Sequence, residues 1–61
     1  MYKIECRHIT IKQNGSERMA EETGEDMANR MNCTAQVWLL IGNGKKKTWL
    51  LLHTFNPETI Q

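Results

Sequence analysis

The stretch Val37–Phe55, VWLLIGNGKKKTWLLLHTF, contains both tryptophans of the chain and a run of three lysines. Apolar residues fill its two halves, and Gly42-Asn43-Gly44 interrupts them with the strongest hairpin signal in the sequence. It therefore reads as two strands, about Cys33–Ile41 and Lys47–Phe55, joined by a basic tip. Pro57 ends the second strand, because proline donates nothing to a ladder. The spacing leaves two registers open. A two-residue Asn43-Gly44 turn sets Trp38 opposite Trp49, and a three-residue loop sets Leu39 there. In either register Val37, Leu39 and Ile41 fall on one face, and Trp38 and Leu40 on the other.

Upstream, Tyr2, Ile4, Cys6 and His8 alternate with Lys3, Glu5 and Arg7, as in a half-buried strand. The apolar phase then slips by one at Ile9 and Ile11. A β-bulge near Arg7–Ile9 within one strand over about residues 2–13 restores a single buried face, as do two shorter strands with a kink. Between this segment and the hairpin, Met19, Thr23, Met27 and Met31 recur every fourth residue, flanked by Ala20, Gly24 and Ala28. That pattern predicts an amphipathic helix over about 17–31 with a methionine and small-residue inner face. Ser16 suits its N-cap, and Asn32 closes it. Glycine at 24 costs about 1 kcal/mol relative to alanine in a helix, which implies close approach to the sheet. The fold class expected is α+β: one domain over 1–61, β-α-β-β, with a three-stranded, mainly antiparallel sheet, one helix on one face and a tail at 56–61.

One helix cannot cover both faces of such a sheet, so apolar surface is left over, which in a soluble protein marks an interface. A chain of 61 residues buries only about 60% of its unfolded surface, so a covering partner also serves stability. A two-fold homodimer and a heterologous protein both satisfy that need.

A net charge of +1 excludes a strongly basic nucleic-acid coat but permits local patches. The N-terminus lacks the apolar run of a signal peptide, and Val37–Ile41 is far too short to span a bilayer, so the expected setting is cytoplasmic, without a membrane. Two cysteines permit one disulfide, but reduced, partly buried thiols are the expectation for that setting.

Cys6, His8, Cys33 and His53 contain the right types for a zinc set but lack its knuckle spacing, so no metal or other cofactor is expected. Cys33 and His53 lack an oxyanion hole and an orienting third group, and no catalytic residue is assigned. Five of the seven carboxylates, Glu17, Glu21, Glu22, Glu25 and Asp26, lie on the helix and read as a solvated face. Met19, Met27 and Met31 read as core filler. The candidate binding residues are Lys45, Lys46 and Lys47 at the tip, with Trp38, Trp49 and Arg7. Such a tip contacts acidic protein surface or phosphates, and a neighbouring indole can stack on a base.

The segment Ala28–Trp49, ANRMNCTAQVWLLIGNGKKKTW, together with the element order, resembles small phage-encoded anti-CRISPR proteins of β-α-β-β build. The resemblance implies a non-enzymatic inhibitor that occupies a surface of a multi-subunit host defence complex, acting in the host cytoplasm. Placed on this chain, the implied contacts are Lys45, Lys46, Lys47 and the surroundings of Trp49. A nucleic-acid-binding module using the same basic tip with Arg7 and Lys12 is the alternative.

Overall fold

A computed structural model describes residues 1–57. The elements run β1 (Tyr2–Cys6), β2 (Ile9–Gln13), α1 (Glu17–Met31), β3 (Ala35–Asn43) and β4 (Lys46–Phe55). They form an α+β fold with one helix against an antiparallel sheet of order β2-β1-β3-β4. The sheet thus has four strands where three were expected. Residues 2–13 form two shorter strands, one of the two expected alternatives, but a reversal rather than a kink joins them into a hairpin, with Cys6 opposite Ile9 and Tyr2 opposite Gln13. Its turn is Arg7-His8, with Arg7 in the left-handed region at φ 56°. That conformation disfavours residues with a Cβ by roughly 1–2 kcal/mol. Tight hairpin turns usually advertise themselves through Gly, Asn or Asp, and here the sequence carries none of them. The slip in apolar phase is the turn itself, which returns Ile9 and Ile11 to the face of Ile4 and Cys6.

Helix α1 has the expected bounds. The Ser16 hydroxyl accepts the Met19 N–H, and Asn32 takes the left-handed C-cap position, its own N–H donating to the Ala28 carbonyl. The buried stripe is Ala20, Gly24, Met27 and Ala28. Met19 is 53% exposed and is not core filler. Small residues bring the helix axis close to the sheet. A Cβ built on Gly24 would lie 2.7 Å from Val37 Cγ2 and 3.2 Å from Phe55 Cδ2, so the expected close approach is present.

The core is small: Ile4, Cys6, Ala20, Met27, Ala28, Ala35 and Val37, with Tyr2, Met31, Cys33 and Phe55 packed on it. Cys6 and Cys33 are joined by a disulfide, Cα–Cα 6.5 Å. The expectation of reduced thiols is corrected. The pairing follows from topology, since the end of β1 and the segment leaving α1 both abut the start of β3. The tail beyond Pro57 lies outside the described residues.

Two predictions follow from this packing. Gly24→Ala should destabilise by about 1–2 kcal/mol, overpacking outweighing the gain in helix propensity. Urea melts should show that loss shrinking when Val37 is also cut to alanine, whose side chain lacks the obstructing methyl. Reducing the disulfide, which spans 27 residues, should lower stability by about 3–4 kcal/mol on the chain-entropy account, read from melts with and without reductant.

Candidate binding face

The β3–β4 ladder begins at Asn43 opposite Lys46, so the turn is Gly44-Lys45, with Gly44 at φ 59°. Leu40 consequently faces Trp49, and Trp38 faces Leu51. Both registers expected from the sequence are corrected. The turn sits one residue later than the Asn43-Gly44 signal, and a bulge between Val37 and Trp38 then shifts the pairing, because Val37 faces His53. Leu52 is the extra residue. Its effect is to divide the odd-numbered residues of β4 between faces: His53 and Phe55 lie towards α1, whereas Trp49 and Leu51 lie on the far side.

The helix packs on β1, β3 and the end of β4, reaching Val37 and Phe55 through Gly24 and His53 through Glu21. Past that level the hairpin extends, among the described residues, without a layer over it, and the molecule measures 47 × 21 × 15 Å. Ile41, Leu50 and Leu51 are 38%, 48% and 42% exposed there. Apolar surface is thus present on both sides of the projecting hairpin. Leu39, Ile41 and Leu50 share the helix side of the sheet, and Trp38, Leu40, Trp49 and Leu51 share the open side.

Lys3 organises the open side. Its Nζ stands 5.2 Å from the Trp38 ring centroid and 4.6 Å from that of Trp49, and 3.6 Å from a Glu5 carboxylate oxygen. The side chain is only 18% exposed, so its stem covers indole surface while the ammonium engages both π faces. Lys12, directly opposite Lys3 on β2, and Lys47, two residues before Trp49, extend the positive charge on this face. The Trp38 indole N–H is buried without an acceptor among the described residues.

The sequence-derived site residues therefore separate into groups. Trp38 and Trp49 come together through Lys3, a residue the sequence reading did not select. Its signal was present, since alternation places Lys3 out of phase with Tyr2 and Ile4, but its cross-strand neighbours depend on register. Lys45 lies in the turn, whereas Lys46 and Lys47 belong to β4 and, being adjacent in a strand, point to opposite faces. They form a collar rather than one patch. Arg7 is at the other end of the sheet, where its Nη2 donates to the Asn32 carbonyl at 3.5 Å. It supports the helix C-terminus and is remote from the tip.

On the opposite side of the molecule, a shallow depression on α1 is lined by Glu22, Glu25, Asp26 and Asn29. Arg18 and Arg30 pair along the helix with Glu22 and Asp26 at 3.5 and 2.9 Å, as on an ordinary solvated face. Cys6 and Cys33, being bonded to each other, are unavailable as thiolate ligands or nucleophiles. Among the described residues no helix is long and apolar enough to cross a membrane. No protein-family model, curated protein or solved structure matches the chain.

Because the Trp38 indole N–H is buried with no acceptor among the described residues, its polar atom costs stability and its removal offsets part of the area lost in phenylalanine. Trp38→Phe should change the unfolding free energy by less than about 1 kcal/mol, whereas Trp38→Ala should cost about 2–3 kcal/mol through lost area and the lost seat for Lys3. Chemical denaturation of both variants checks the difference.

Proposed function

We propose that this protein is a non-enzymatic binding protein that works by laying its projecting β3–β4 hairpin against the surface of a partner protein. The observation that carries the reading is the exposure of Ile41, Leu50 and Leu51 on a hairpin that extends past the helix covering its root. Charge selects the kind of partner. Among the described residues the open side carries Lys3, Lys12 and Lys47 against the carboxylate of Glu5, and Lys45 and Lys46 stand at the tip. A second copy docked about a two-fold axis would set these lysines near one another, which like-charge juxtaposition disfavours. An apolar surface bordered by Asp and Glu complements them, so a heterologous acidic-rimmed protein is favoured over the homodimer.

The resemblance to small anti-CRISPR proteins supports the finer reading, an inhibitor that occupies a surface of a multi-subunit host defence complex. In a cytoplasmic setting the Cys6–Cys33 disulfide would face reduction. That finer reading therefore requires the fold to persist with both thiols free.

Nucleic acid is the second reading, favoured by the combination of Lys3, Lys12 and Lys47 with two tryptophans on one sheet face. Against it, Lys3 already lies over both indoles, so base stacking requires its displacement.

Capture from lysates of suitable hosts with the tagged chain, beside gel-shift assays with single-stranded DNA and RNA at low salt, tests the two readings together. The expected outcome is one stoichiometric protein partner, at least tenfold weaker binding (about 1.4 kcal/mol) for Leu51→Asp, and unchanged binding for Glu25→Gln on the helix. A gel shift that falls steeply with salt and disappears on Lys3→Ala with Lys47→Ala would replace the protein reading by the nucleic-acid one.

A further inference from the structure

We propose that Glu17, Glu21 and His53 form a binding site for a divalent transition-metal cation of the zinc class, bridging α1 to β4 at the root of the projecting hairpin. Glu17 and Glu21 are one helical turn apart and so share a face, and the β4 bulge turns His53 towards that face. One ligand atom from each of the three residues lies within 4.8 Å of the others. The Glu17 Oε2–His53 Nε2 separation is 3.6 Å. Metal–ligand bonds of 2.0–2.1 Å in a tetrahedron require edges of about 3.3–3.4 Å, so this pair needs only a small inward movement. His53 Nε2 also lies against Glu21 Oε1.

The pattern of pairing on the helix separates these two carboxylates from Glu22 and Asp26. Glu22 and Asp26 have arginine partners on their own helix, whereas the ion pairs of Glu17 and Glu21 among the described residues run to His53. Two carboxylates at i and i+4 repel one another unless positive charge lies between them. A dication offsets the charge of both carboxylates, which an imidazole, carrying at most one positive charge, does not. The imidazole also selects against magnesium and calcium, which prefer all-oxygen sets.

The ligands are held by structure already present. His53 stacks on Phe55 with ring centroids 5.8 Å apart, and Phe55 packs at Gly24. The Ser16 cap fixes the helix turn that contains Glu17. With Glu17 half exposed, at least one coordination position opens to solvent. A bound cation would fasten the helix N-terminus to the strand on which the exposed leucines begin, adding a clamp opposite the disulfide. The set shares only His53 with the Cys6, His8, Cys33 and His53 group considered from the sequence.

The test uses the intact, disulfide-bonded chain with zinc alone, followed by calorimetry and by the imidazole signals in NMR. One equivalent of zinc should bind, raise the melting temperature and shift His53 signals but not those of His8, with excess magnesium failing to displace it. His53→Ala and Glu21→Gln should each weaken binding at least about tenfold, and His8→Ala should leave it unchanged. Glu17→Gln, at an exposed position, should also weaken binding and carries the test if His53→Ala fails to fold. Absence of heat and of a His53 shift at stoichiometric zinc would overturn the proposal. Equal zinc affinity in the folded Glu17→Gln and Glu21→Gln variants would do the same, by placing the cation elsewhere.

Discussion

The close approach of α1 to the sheet at Gly24 is the constraint on which the rest of the molecule depends. Val37 and Phe55 occupy the space that a side chain at 24 would need, and the stripe Ala20–Gly24–Ala28 seats the helix over β1 and β3. Such intimacy makes a usable core out of few residues, but it covers little area. Among the described residues the helix screens one side of the central strands and leaves the outer strand β2, the far face of the sheet and the projecting hairpin without a second layer. Ile9 and Ile11 on β2 remain 44% and 37% exposed for this reason. A small core also places weight on covalent support, and the disulfide ties β1 to the exit of α1 where the core residues Cys6, Ala28 and Ala35 converge.

The same constraint orders the charges. Glu22, Glu25 and Asp26 collect on the outer side of α1, while Lys3, Lys12 and Lys47 fall on the sheet face that the helix does not cover. Lys3 is the hinge of that arrangement. It is held over two indoles and beside Glu5, so it adds little free charge to the basic face yet shields the aromatic rings from solvent. What remains available for contact is aliphatic surface at Leu50, Leu51 and Ile41, bordered by lysines. That combination supports recognition of a protein surface more than stacking on bases.

Much of this was legible in the sequence where local chemistry decides the outcome. The helix from 17 to 31, its Ser16 and Asn32 caps and the reason for Gly24 all follow from spacing and side-chain type. The surplus of apolar sheet follows from counting faces against one helix. The sequence was silent where the decision is tertiary. The Arg7-His8 turn lacks Gly, Asn or Asp, so its hairpin resembled a slip in one long strand. The β3–β4 register and the bulge at Leu52 depend on how His53 and Phe55 meet α1, which no local pattern records. The cysteines read as thiols because the setting was expected to be reducing, whereas the fold brings the end of β1 against the exit of the helix. Without the Gly44-Lys45 turn position the pairing of Trp49 with Leu40 could not be read, nor without the bulge the convergence of His53 on Glu17 and Glu21.

The central claim is that partner contact falls on the hairpin while the acidic helix stays in water. Paramagnetic relaxation by a soluble reagent, read on the methyl groups of Leu40, Ile41, Leu50 and Leu51 and on the Trp49 indole in free and partner-bound protein, measures this most directly. The account predicts that these signals lose contact with the reagent on binding while the amides of Glu22 and Glu25 keep theirs. Protection of Glu22 and Glu25 with unchanged hairpin methyls would contradict it.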